Sequence, residues 1–379
     1  MSALPILPVT TVGSWPRPHA LLAAQRAHRA GEMSRSRYEQ VVDGAVRDAV
    51  QAQHRAGVDL ITDGEQARDN FYSFVADKLD GVRLMTLAEM LEHVEDKEGF
   101  GRLLDTLDVP AFAIRNPTCV GPVRAREPLA LPDFERLRRC TDKPVKVTLP
   151  GPYLLTRAMW VPEVSRTAYP SKEELGEEVV RLLREEVARL VAAKVDFIQL
   201  DEPVLTELVF SKGQTRTFMC ASLAARGDPT AELQWAVDML RVVLAAAGTT
   251  RTGLHVCRGN WSRDEGTLLS GSYAPLGPWF DLIPVTQLVL EYATPRAGEV
   301  IPPGAKELGL GVVNPRTETV ESADEVVARV ESALRAVPRE NVFLNPDCGF
   351  GTFSARPMND AQTAERKLAV MVEAARRLR

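Results

Sequence analysis

His255 and Cys257 are separated by a single residue at the end of the stretch Gly253–Cys257. On an extended strand, residues two apart point to the same face, so an imidazole and a thiol can aim at one point. A second thiol, Cys348, follows far along the chain in Asn345-Pro346-Asp347-Cys348-Gly349, where Pro346 and Gly349 turn the backbone just past an apolar run. Between them, Glu291 ends the apolar stretch LVLEYA. One imidazole, two thiols and a carboxylate from separate strands suit tetrahedral zinc, which accepts nitrogen, sulfur and carboxylate oxygen. Structural zinc sites are usually closed by Cys and His ligands close in sequence, so this set points to a catalytic ion. The chemistry would be thiol activation: a free thiol has a pKa of about 8.5, and coordination to zinc deprotonates it outright.

These residues need a scaffold that brings strand ends together. Thr10–Trp15 reads as a strand ending in Gly-Ser-Trp-Pro. Arg35–Ala56 has helical periodicity, with Val41, Val42, Ala45, Val46 and Ala49 on one side. Asp59–Glu65 reads as a strand running into a loop. An excursion from about Asn70 to Thr141 follows, with a helix near Leu87–Leu107 and a hairpin around Ala111–Val123. Strands are then expected at Val145–Pro150, Asp196–Pro203, Gly253–Cys257, Thr286–Glu291, Glu307–Val313 and Val342–Asn345. Helices are expected at Lys172–Ala193, Ala231–Ala247, Ala323–Ala336 and Ala361–Leu378. Eight strands alternating with helices predict an α/β fold, a single (β/α)₈ TIM barrel spanning residues 1–379 as one domain, with residues 70–141 inserted after the second strand. An open doubly wound sheet would carry a glycine-rich turn after its first strand, and none is present.

Ser14, Glu65, Asp201, Glu202, His255, Cys257, Glu291, Asn314, Asp347 and Cys348 all fall at or just past predicted C-terminal strand ends. In a barrel those ends meet at one mouth, where active sites are built. Taken singly, a cysteine in an apolar strand is core, Glu291 is a salt-bridge partner and Asp201-Glu202-Pro203 is a turn. Their shared rim argues for a site. Cys119, Cys140 and Cys220 have no such setting and read as structural or incidental, and His19, His28, His54 and His93 as surface or capping residues.

Composition narrows the partners. A net charge of −5 argues against nucleic acid or an anionic membrane as the main partner. There is no apolar run long enough for a membrane span and no signal-peptide pattern. Five widely spaced cysteines do not read as a disulfide framework. The expected setting is the cytoplasm.

In order along the chain, TTVGSWP at Thr10–Pro16, DGE at Asp63–Glu65, LPGP at Leu149–Pro152, QLDEPVLTE at Gln199–Glu207, HVC at His255–Cys257, LEY around Glu291 and NPDCG at Asn345–Gly349 resemble the catalytic barrel of cobalamin-independent methionine synthase. The resemblance covers nearly the whole chain. It implies a zinc enzyme that transfers a methyl group from 5-methyltetrahydrofolate or another donor to the thiol of homocysteine, giving methionine. It implies His255, Cys257, Glu291 and Cys348 as zinc ligands, and Ser14 as holder of the amino acid carboxylate. Glu65 and Asp201 would be catalytic positioning residues that hold the ammonium, and Glu207 an acid near the donor.

The chain departs from that pattern in three places. It lacks the family's additional N-terminal barrel and so resembles the short, single-barrel branch. Val313 and Asn314 stand in the region of a family histidine implicated in proton transfer, and Trp160 falls slightly late for the aromatic expected after LPGP. The donor, and whether a partner protein delivers it, stays open. Epoxyalkane:coenzyme M transferase, a related short enzyme, is the alternative; its sulfonate calls for arginines, and Arg17, Arg68 or Arg258 could serve. The acidic pair Glu65 and Asp201 favours an amino acid thiol. An alternative from another class is a non-catalytic zinc-containing binding protein.

Overall fold

The apolar runs of the sequence become short, mostly buried strands. In the computed structural model, which describes residues 4–93, 98, 115–210, 228–260, 262–354 and 357–379, β1 (Leu79–Thr86) pairs antiparallel with β2 (Arg115–Ala125). β3 (Lys146–Pro150), β4 (Phe197–Asp201), β5 (Arg251–Val256), β6 (Gln287–Leu290), β7 (Glu307–Val313) and β8 (Val342–Pro346) form one parallel sheet in sequential order. Every residue of β3, β4, β6 and β8 is buried, as expected of parallel strands covered on both faces. The architecture is α/β and of the TIM-barrel type.

Thr10–Trp15 and Asp59–Glu65 do not form the expected full strands. They contribute isolated parallel bridges instead: Val9 to Leu344, Thr10 to Leu60 and Ile61 to Val145. The Thr10 amide donates to the Leu344 carbonyl at 3.0 Å, and the Lys146 amide to that of Ile61 at 2.8 Å. These bridges carry the circuit of parallel contacts from β8 round to β3. Both segments leave extended geometry close to their paired residues. The Asp59 carboxylate, rather than a carbonyl, takes the Val9 amide at 2.9 Å, and Glu65 turns into the left-handed region at φ 53°.

The excursion also differs from expectation. Its hairpin runs between β1 and β2, with Thr86 opposite Arg115 and Leu79 opposite Ala125; it is not contained within Ala111–Val123. The helix expected over Leu87–Leu107 is described as Leu87–Leu91, started by a capping box between Thr86 and Glu89. Glu92 and His93 then turn; residues 94–97 and 99–107 of that helix and the start of the expected hairpin lie outside the described residues.

Helices follow the predicted periodicity closely. Arg35–Ala56 is capped by Ser34 and ends at Gly57, whose φ of 87° suits glycine. It buries Val42, Ala45, Val46 and Ala49. It packs on the helix Ala361–Leu378, which also touches Ala323–Leu334, while Lys172–Ala192 packs against Pro229–Leu244. These outer helices cover the apolar face of the sheet. The opposite face carries buried polar side chains, among them Lys146, Thr148, Gln199, Asp201 and His255. No helix among the described residues is long and apolar enough to cross a membrane.

Candidate metal centre and active site

β5 presents His255 on its inner face, Cys257 follows one residue past the strand, and Cys348 follows β8. One donor atom from each lies within 4.8 Å of the other two, and all three residues are buried. Asp201, at the end of the neighbouring β4, places Oδ1 3.0 Å from His255 Nδ1. With Nδ1 as the donor, the lone pair of Nε2 is directed elsewhere, and Nε2 is buried without a hydrogen-bond partner. Carboxylate–histidine pairs of this kind orient metal-ligating imidazoles. A shared hydrogen bond with Cys348, together with burial, pushes the Cys257 thiol well above its ordinary pKa. Holding both sulfurs as thiolates in this setting would therefore require a cation, and an imidazole nitrogen with two sulfurs fits zinc.

Glu291 stands outside this cluster. Its Oε2 accepts from the Arg258 amide at 2.9 Å and from the Arg258 guanidinium at 3.2 Å. Its Oε1 accepts from the Asn260 amide and, at 3.1 Å, from Arg296. The fold thus gathers three of the four expected donors and holds the fourth carboxylate in a basic cradle.

Above the cluster opens a cleft lined by Ser14, Glu65, Phe71, Asp201, Thr206, Glu207, Asn260, Leu269 and Thr352 together with the three donors. It encloses about 660 Å³ of empty space, its open mouth included. Glu65 Oε1 accepts from the Thr148 hydroxyl at 2.9 Å. That hydroxyl accepts in turn from Arg68 at 3.0 Å, and Arg68 pairs with Asp133 at 3.1 Å. Burial pushes Glu65 up to about 6, against the pull of Arg68. Gly13 makes room for this carboxylate: a Cβ there would lie 2.4 Å from Glu65 Oε1. Gly349 does the same for Ser14, since its Cβ would fall 2.0 Å from Ser14 Oγ.

Comparison with known proteins settles the ancestry of this arrangement. The family profile described as "Cobalamin-independent synthase, Catalytic domain" matches residues 7–269 and 290–377. The chain belongs to this family.

The methionine synthase of Saccharolobus solfataricus is 29% identical over 379 residues, covering 98% of this chain and 95% of that protein. The 5-methyltetrahydropteroyltriglutamate–homocysteine methyltransferase of Streptomyces avermitilis is 27% identical over 355 residues, covering 92% of this chain and 40% of the longer protein. Among solved structures, the B12-independent methionine synthase from Shewanella sp. W3-18-1, in complex with selenomethionine, superposes with a TM-score of 0.73. The match spans 99% of this chain and 98% of the other at 22% identity, a likeness of fold.

Not every polar rim residue of this cobalamin-independent synthase relative serves the cleft. Glu202 turns away and accepts the Tyr153 and Leu154 amides at 2.8 and 2.9 Å, capping the helix Pro152–Met159. Asp347 accepts the Tyr292 and Ala293 amides, both at 2.9 Å. Asn314 is engaged with Glu321 and with the Arg316 amide. Neither Val313 nor Trp160 lines the cleft. Cys119 and Cys140 are free thiols away from the cluster, and Cys220 lies outside the described residues.

The sequence reading missed Asn260, Arg296, Thr148 and Gln199. Asn260 stands just past His255 and Cys257 in HVCRGN, a signal of position that was available. Gln199 Nε2 donates to Asp201 Oδ1 at 2.8 Å, a contact between residues two apart on one face of β4, so strand alternation was a signal for it as well.

Proposed function

We propose that the protein methylates the sulfur of homocysteine to give methionine, using zinc held by His255, Cys257 and Cys348, with Glu291 as an exchangeable fourth ligand. The observation that carries this reading is the buried imidazole–thiol–thiol cluster with its unpartnered Nε2, set beneath the two carboxylates of Glu65 and Asp201. Zinc bound there would supply the Lewis acidity that keeps a substrate thiol deprotonated at neutral pH. Glu65 and Asp201 accept charge-assisted hydrogen bonds from the substrate ammonium, and Ser14 receives its carboxylate. Thr148 and Arg68 fix Glu65 from below, and Asp201 also fixes the ring of His255. The sulfur lone pair forms the new S–CH₃ bond while the donor–CH₃ bond breaks, and the donor keeps that electron pair. Orientation of the two reacting atoms supplies much of the rate. Glu207, on the cleft wall, faces the donor. The printed name of the Streptomyces relative specifies a folate donor, and we extend a methyl donor of that kind to this chain. Residues 1–379 act as one catalytic unit, in the cytoplasm.

The arginines argue against a sulfonate thiol. Arg17 donates to the carbonyls of Gly351 and Glu65, Arg68 is committed to Asp133 and Thr148, and Arg258 to Glu291. Initial rates with homocysteine, cysteine and coenzyme M, each with methyltetrahydrofolate or methylcobalamin and with or without zinc, test the proposal. Preference for coenzyme M, or indifference to zinc removal, would overturn it. Zinc whose ligands stay unchanged when thiol is added would favour the non-catalytic alternative.

A further inference from the structure

The cradle around Glu291 is more elaborate than a single ion pair. Two guanidinium groups, a carboxamide and a backbone amide converge on its two oxygens, and its side chain is buried. Each side-chain donor is itself fixed. Arg258 lies 3.7 Å over the Tyr273 ring and donates to the Gly271 carbonyl at 2.8 Å. Arg296 donates to the carbonyls of Gly259 and Leu269 at 3.1 and 3.3 Å. Asn260 Oδ1 accepts from Arg316 at 3.0 Å. Arg258 and Asn260 follow His255 and Cys257 on one loop, so the cradle and two of the proposed ligands are built as one piece.

We propose that Arg258, Asn260 and Arg296 form a carboxylate anchor that competes with the metal for Glu291 and so keeps the fourth coordination position open to a substrate thiol. The idea rests on the metal reading above and deepens it. A carboxylate that had only the metal to pair with would close the site against the thiol. One placed among four donors gives up less on leaving the metal, because several charge-assisted hydrogen bonds await it. The anchor residues touch neither reacting atom; they are positioning residues that act through Glu291. They also separate two demands on the cluster: firm retention by one nitrogen and two sulfurs, and ready exchange at the last position.

The test is a double-mutant cycle on the full-length protein. Arg296→Gln and Asn260→Asp, two independent ways to weaken the anchor, are each made alone and with Glu291→Gln. Two quantities are measured: zinc retention against a colorimetric chelator, and the homocysteine dissociation constant from the visible spectrum of the cobalt(II)-substituted protein. With the anchor weakened, Glu291 closes on the metal. Zinc retention should rise about tenfold and homocysteine affinity should fall by a similar factor, at the low end of the range for groups around metal ligands. In the Glu291→Gln background both effects should vanish, which a merely structural role for Arg296 or Asn260 would not produce. Single variants that leave both quantities unchanged, or that shift them equally with and without Glu291, overturn the anchor. Failure of the unmodified protein to bind zinc overturns the metal reading instead, so the two failures are distinguishable.

Discussion

Asp201 Oδ1 sits 3.0 Å from Nδ1 of His255 and takes a second hydrogen bond, at 2.8 Å, from Gln199 Nε2. This one oxygen ties the end of β4 to the imidazole on β5, its register partner. It selects the orientation in which His255 Nε2 faces the two thiols. Asp201 also lines the cleft, so one side chain joins the His255–Cys257–Cys348 cluster to the cleft wall.

Asp201→Asn should therefore do more than weaken substrate binding. The amide keeps the shape but loses the charge that favours a donating Nδ1. Zinc affinity should drop about 10- to 100-fold, measured by competition with a chelator, in the absence of any substrate. If zinc affinity is unchanged in both Asp201→Asn and Asp201→Ala, the carboxylate serves the substrate alone.

Cys257→Ser and Cys348→Ser should each lose zinc and methyl transfer together. Serine replaces a soft, ionisable sulfur with a hydroxyl that does not give up its proton near neutral pH. Atomic absorption on the purified variants reads the metal content directly. A variant that keeps full metal content and turnover would remove that residue from the ligand set.

Burial lifts Glu65 from 4.5 to about 6, and two pH effects of opposite sign follow. The ammonium needs the carboxylate form, so homocysteine affinity should be full well above pH 6 and fall as pH drops through about 6 and acid protonates Glu65. Stability runs the other way. Between about 4.5 and 6 the folded protein holds a proton that the unfolded chain has released. The stabilisation from Glu65 is thus complete below 4.5 and lost as pH rises through about 6. Glu65→Gln should flatten both profiles over that window, as read by thiol titration and by denaturant melts at matched pH. A homocysteine profile that keeps its acid limb in Glu65→Gln would assign the limb to another group.

Much of this was legible in the chain, and for a physical reason. An apolar run that ends in one polar residue is what a barrel strand with a functional tip looks like, so His255, Cys257 and Asp201 could be placed on a common rim before any coordinates. Glu307–Val313 and Ala361–Leu378 form with the boundaries the periodicity predicts. The β1–β2 hairpin was not legible because its partners are far apart in sequence and β1, LDGVRLMT, lacks a clean alternation. The cradle around Glu291 escaped for a related reason. Arg296 lies in a short turn after β6, and only tertiary packing directs its side chain back onto the carboxylate.

Gly13 supplies the sharpest steric test of the acidic site. A methyl group at this position would fall 2.4 Å from Glu65 Oε1 and 2.9 Å from Thr148 Cγ2, closer than real Cβ contacts allow. Either the carboxylate or the first bridge segment must shift. Because Glu65 is also held by the Thr148 hydroxyl, relief displaces it from the position that would meet the ammonium. A misplacement of about 1 Å can cost on the order of 100-fold in rate, so Gly13→Ala should lower kcat/KM for homocysteine by roughly that factor. The His255–Cys257–Cys348 cluster lies on or just past other strands and has no contact with the new methyl among the nearest atoms, so metal content should stay whole. Parallel measurement of kcat/KM and zinc stoichiometry separates the two: loss of metal in Gly13→Ala would mean that strain spreads across the barrel, and unchanged kcat/KM would mean that Glu65 does not hold the substrate.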